Sequence, residues 1–270
     1  MVRCCSQSWF GLSSGAQEDW KFPERLRCLE TIIELRTDPR FSLNKIAEYL
    51  TATPRRRRRL ILDQIRPVVY KAGRYGRARS ALQRFICDPS RTVEQLKRVA
   101  VRLRDRAAEP NLDLFDVQCL KGSARAIEAF VPIAEDFRYE DAIAVPGRRD
   151  NSMTIGGVRI SVTPDVSVIA PGTERRIGAV KFAFSVNYTL NQDARQYAAS
   201  ILFAFIEANG GTPVCSLCDS VDVFAAAYES APRATKHRLA DVEAACEEIA
   251  ARWAGLVDVV RKEQKVQHPG

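Results

Sequence analysis

The chain has 270 residues, 46% hydrophobic and 27% charged, with a formal net charge of +8. This is the make-up of a globular protein with ample core, not of a disordered or fibrous one. No apolar run approaches the roughly 18 residues of a membrane span, and the opening MVRCCSQSWFGLSSGAQ has no signal-peptide core.

A cytoplasmic location is therefore expected, with the eight cysteines mainly reduced. Charge is unevenly divided. Residues 1–110 hold 24 Lys and Arg against 12 Asp and Glu, and residues 111–270 hold 17 against 21. The first part suits nucleic acid or another polyanion; the second does not.

In chain order, residues 1–22 read as a loose leader and 23–110 as a basic helical domain. The periodicity predicts helices at 23–36, then over FSLNKIAEYL with Ser42 as N-cap, then over RRRRRLILDQIR with Pro54 in the first turn. Further helices are expected at about 78–87, 91–107 and 113–135. After AVPGRRDNS the pattern changes. GGVRISVTPDVSVIAPGTERRIGAVKFAFSV reads as three short strands broken by Gly-Gly and Pro-Gly. A helix follows at 192–208, then strands near 213–219 and 222–228, then an amphipathic helix at 236–260. The expected fold is α+β: a helical N-terminal domain, then residues 111–270 as a mixed sheet flanked by helices.

Residues 42–65 have the rhythm of a helix-turn-helix, whose second helix presents basic residues to DNA. Arginine forks fit guanine edges and phosphates. At 100° per residue, however, Arg55, Arg56, Arg57, Arg58 and Arg59 encircle the helix and cannot all face one ligand. Stepping back from Leu60, Ile61 and Ile65 puts Arg57 or Arg58 on the buried side, paired with Glu30, Glu34 or Glu48. Three readings stay open: an internally paired, solvated helix; a nucleic-acid contact; and a protein or lipid-phosphate contact. RRRRRLILDQIRP also resembles an element near the start of a group of bacterial proteins of undetermined activity with a similar strand-rich C-terminal half.

In the strand-rich part, Pro164-Asp165 precedes a short apolar run, and Lys181 lies in the next. Alternation puts Ile177, Ala179, Lys181, Ala183 and Ser185 on one strand face, and Gly178, Val180, Phe182, Phe184 and Val186 on the other. The second set should pack inward, leaving Lys181 among small residues with room for a substrate. Phosphodiester hydrolysis by a divalent metal needs carboxylates for the ion and often a lysine beside the attacked phosphate.

Over about 113–230 the chain resembles the PD-(D/E)XK superfamily of restriction-endonuclease-like and RecB-like nucleases, in the order helix, three strands, helix, strand. The resemblance implies a catalytic site of Asp165 and Lys181 with magnesium as cofactor and DNA as substrate. It also implies a first-helix acid, matched by Glu128, and the RecB-like Gln and Tyr, matched by Gln196 and Tyr197. The metal ligands would be Asp165 and Glu128. The departure is Ala179, where the family carries a second acid; Asp193 and Glu174 are weaker substitutes than Glu128. The resemblance leaves open an active nuclease, an inactive nuclease fold that binds DNA or protein, and neither. Cys215 and Cys218 form a CxxC without a second pair, and with only His237 and His268 in the chain, zinc is not expected.

Overall fold

The computed structural model describes residues 35–67, 74–147 and 152–267, with side chains to 264. The leader, the helix expected over 23–36 and the acids Glu30 and Glu34 lie outside them or almost wholly so.

Helix α1 (Leu43–Thr51) starts after Ser42 as expected, although the Ser42 side chain makes no capping bond. Helix α2 (Pro54–Ile65) carries its proline in the first turn, and the Thr53 hydroxyl accepts the Arg56 N–H. Helices α3 (Gly76–Cys87), α4 (Val93–Ala107) and α5 (Leu114–Phe130) follow near the expected positions. Thr92 and Gln95 form a reciprocal capping box at the start of α4. A 3-10 turn, Val131–Phe137, replaces the last part of the helix expected to reach 135; Pro132 lacks the N–H that an α-helix would use.

The strands are β1 (Arg40–Ser42), β2 (Ile143–Pro146), β3 (Ser152–Ile155), β4 (Val158–Ser161), β5 (Val166–Ile169), β6 (Arg176–Ala183), β7 (Cys218–Asp222) and β8 (Ala227–Ser230). Helix α6 (Gln192–Ala208) joins β6 to β7, and α7 (Thr235–Gln267) closes the chain. The main sheet is mixed, in the order β2-β5-β6-β7-β8; only β6 and β7 run parallel. Of the three expected strands, the latter two are β5 and β6. The first belongs instead to β4, which joins a separate sheet in the order β1-β4-β3. The third strand on that side of the main sheet is β2, which the pattern left as loop. Its four residues are partly exposed and end in Pro146. Gly156 and Gly157, at φ +50° and +77°, make the two-residue turn from β3 to β4.

Helices flank both faces of the main sheet, so the α+β class holds. One core joins α3, α4 and α5 to Val166, Val180, Phe182 and Val221. The other joins α1, α2, α6 and α7 to Ala179, Ala183 and Cys218. Alternation along β6 is thus as read, but the small-residue face is not open. Ala179 and Ala183 are buried under α6, whose own Ala194, Ala198 and Ala199 are also small. Small side chains on both partners let helix and sheet approach closely, so space that looked available for a substrate is filled. All described residues belong to one compact unit, Glu34–Gly270, and residues on both sides of position 110 contribute to the core on the α3–α5 face. No described helix is long and apolar enough to cross a membrane.

Candidate functional site

Asp165 stands at the entry to β5 and Lys181 in β6. The pairing of Val166 with Val180 brings Asp165 and Lys181 to the same end of the β5–β6 ladder, where the Asp165 N–H donates to the Val180 carbonyl at 2.8 Å. Both are nearly excluded from solvent, Asp165 at 5% and Lys181 at 9% exposure. Lys181 Nζ lies 3.4 Å from Asp165 Oδ2 and donates to the Thr163 carbonyl at 2.6 Å. Burial lowers the lysine's proton affinity, and the facing Asp165 carboxylate partly offsets this.

The carboxylate has further partners. The Phe182 N–H donates to Oδ2 at 2.8 Å, and Arg79 Nε of α3 approaches Oδ1 at 3.1 Å. Gln83, one turn further along α3, donates to the Asp165 carbonyl at 2.7 Å. Asn44 of α1 donates to the Phe182 carbonyl at 3.0 Å. Arg79 and Gln83 carried no sequence signal, since they lie more than 80 positions from the acid they grip.

Magnesium takes an octahedron of oxygens, with charge supplied by one or two carboxylates and by substrate phosphate. Here the single carboxylate already faces two cations and a backbone donor. Opposite Ala179 stands Ser167, and beside Lys181 in register stands Ser220; both hydroxyls are buried and without a partner among the described residues. They are neutral oxygens and cannot replace an acid at 179. Glu128 is ion-paired with Arg104, across from α5 to α4. Asp193 faces Arg238 at 3.1 Å. Among the described residues no group of three or more His, Cys, Asp and Glu is arranged to hold a metal ion. The residues present do not fit magnesium.

Comparison with family models, curated proteins and solved structures finds no match to this chain.

Gln196 and Tyr197 face away from the Asp165–Lys181 pair in their bonding. Gln196 donates to Glu229 of β8 at 3.2 Å and accepts from Arg238 of α7. The Tyr197 hydroxyl donates to Asp241 at 2.9 Å, and Arg238 lies 4.7 Å from its ring. These contacts clamp α6 to α7 beside an open groove of 670 Å³ lined by Asn191, Asp193, His237 and Asp241, among others.

The five arginines divide as the helical geometry requires. Arg57 turns inward and donates to the Tyr49 and Leu50 carbonyls at 3.1 and 3.0 Å, capping the end of α1; Glu248 lies 3.8 Å away. Arg56 grips Glu48 at 2.6 Å and stacks on Tyr188 at 3.7 Å. Arg59 pairs with Asp63 one turn on. Arg55 and Arg58 are exposed and make no ion pair with another described residue. Internal pairing is therefore the role of Arg56 and Arg57, not of Arg58. Cys215 and Cys218 are free; burial holds the Cys218 thiol protonated.

Two further acids of the main sheet are buried and form no ion pair with another described residue. Asp219 accepts from Ser230 at 2.6 Å and faces the Tyr139 hydroxyl at 3.4 Å; burial pushes it up to about 7. Asp222 accepts the Leu190 N–H at 2.6 Å and the Ala225 N–H at 3.2 Å, and burial raises it too.

Proposed function

We propose that the chain is a nucleic-acid-binding protein built on a nuclease-like core, in which the Asp165–Lys181 pair is structural. The carrying observation is the occupancy of Asp165. Its oxygens are engaged by Lys181, Arg79 and the Phe182 N–H, and Ala179 supplies no second acid. The order α5, β2, β5, β6, α6, β7, with β6 parallel to β7, supports the resemblance to the PD-(D/E)XK core and DNA as partner. Exposed Arg55 and Arg58 on α2, which make no ion pair with another described residue, and the exposed Arg98, Arg102 and Arg106 on α4 supply charge for phosphates. The buried free thiols of Cys218 and Cys246 suit a reducing, cytoplasmic setting.

The competing reading, a magnesium-dependent DNA phosphodiesterase using Asp165, Lys181 and Glu128, requires Glu128 to leave Arg104. One experiment separates the two. Single- and double-stranded DNA are incubated with the protein and Mg²⁺ or Mn²⁺, and binding is measured in parallel across a salt series. The expected result is no cleavage, with affinity falling steeply as salt rises. Cleavage abolished by Lys181→Ala would overturn the structural reading of the pair; absence of salt-sensitive binding would overturn the nucleic-acid reading.

A further inference from the structure

Building on the nucleic-acid reading, we infer that a strip of aromatic rings and guanidinium groups at the carboxyl edge of β6 and β7 is a stacking surface for single-stranded nucleic acid. Because β6 and β7 run parallel and end at Ala183 and Asp222, the residues that follow emerge on the same edge. Phe184 and Phe224 leave the sheet there, and Tyr75, at the start of α3, joins them. Tyr75 is stacked on Phe184 at 5.5 Å and meets Phe224 edge-on at 5.4 Å.

Each ring has its own guanidinium: Arg74 lies 5.8 Å from Tyr75, Arg79 5.5 Å from Phe184, and Arg125 5.8 Å from Phe224. The segment after Phe184 adds further exposed apolar side chains. Val186 and Tyr188 are large apolar residues left 45% and 49% exposed, and Arg56 of α2 covers Tyr188 at 3.7 Å. The same helix presents Arg55 and, one turn later, Arg58 and Arg59 to solvent.

The charge on this strip is only partly cancelled locally. Arg79 is matched by Asp165 and Arg56 by Glu48. Arg74, Arg125 and Lys121, one turn before Arg125, are exposed and make no ion pair with another described residue. Partly exposed rings interleaved with cations, three of them without an ion pair among the described residues, fit a ligand that offers flat apolar faces and anionic linkers in alternation. Single-stranded nucleic acid does so; a duplex keeps its base faces stacked inside, and an acidic peptide has no faces to offer.

The test uses fluorescence anisotropy of the full chain with three labelled probes of equal length at one salt concentration: oligo-dT, a duplex, and an abasic oligodeoxynucleotide. Oligo-dT should bind tightest, and the abasic strand should lose at least about fivefold for want of stacking. Tyr188→Ala, a change at a half-exposed ring, should weaken oligo-dT by a similar factor and leave the abasic strand unaffected. Arg125→Gln should weaken both single strands and lower the salt slope by about one. Equal affinity for oligo-dT and the abasic strand, or tighter binding of the duplex, would overturn the stacking strip and leave the nucleic-acid reading standing. Failure of all three probes to bind would remove both.

Discussion

Asp165 and Asp219 sit two strands apart in one sheet, each at or below 5% exposure, and are held in opposite ways. Asp165 meets Lys181, Arg79 and a backbone N–H; among the described residues the Asp219 carboxylate meets only the hydroxyls of Ser230 and Tyr139. The difference teaches what burial does to a carboxylate. With cations and an N–H aimed at it, the carboxylate ties β5, β6 and α3 together. With neutral hydroxyls alone, desolvation dominates and the acid holds its proton up to about pH 7.

The largest effect should come from breaking the first arrangement. Asp165→Ala leaves Lys181 buried with only the Thr163 carbonyl, and unfolding in urea should show a loss of roughly 3–5 kcal/mol. The loss should shrink as pH rises, because an unpaired Lys181 can then shed its proton. If Asp165→Ala is as stable as the parent, the pair is not what holds this edge of the sheet.

The second arrangement should speak through pH. Between the unfolded carboxylate's pKa, 3.8, and about 7, the folded chain holds a proton at Asp219 that the unfolded chain has released. Stability therefore falls as pH rises through that window, by about 1.4 kcal/mol per unit and about 4 kcal/mol at most, and is flat above it. Asp222, also raised, contributes in the same direction. Asp219→Asn should flatten much of the profile measured by denaturation from pH 4 to 8. An unchanged slope would mean that Asp219 is charged in the fold.

Smaller effects sharpen the contrast. Lys181→Met removes a cation from Asp165 but leaves Arg79 and the Phe182 N–H in place, so its cost should be nearer about 1 kcal/mol than that of Asp165→Ala. Comparable losses for the two variants would contradict the assigned asymmetry. Least of all should be Glu48→Gln, which releases Arg56 from a partly exposed ion pair worth about 0–1 kcal/mol.

The sequence revealed some of this unevenly. The helices with strong periodicity, α1, α2 and α6, and the facing of β6 were legible because each is a local pattern. The strands β1, β2 and β3 were not. Each is three or four residues long, and β1 gains its ladder from β4, more than 100 positions away. At the site, the Asp165–Lys181 apposition was legible from two strands joined by a short turn. Its hold by Arg79 and Gln83 was not, because α3 reaches the pair only through tertiary packing. Ala179 and Ala183 pointed to small side chains but not to what fills the space above them; the alanines of α6 do. Asp219 and Asp222, set among apolar residues in CDSVDVF, were a signal left unread.

Thr163 is a β-branched residue at φ +32°, and it precedes a proline. Side chains of its kind avoid that region, and residues before proline avoid helical conformations, so the turn stores about 1–3 kcal/mol of backbone strain. Its carbonyl is also the shortest contact that Lys181 makes. One peptide plane thus acts as a latch on the amine: were it to swing to the relaxed, extended form, the ammonium would lose its anchor while both side chains of the pair stayed intact. The hold on Lys181 thus depends in part on a backbone torsion, in a residue that takes no part in the charge pair.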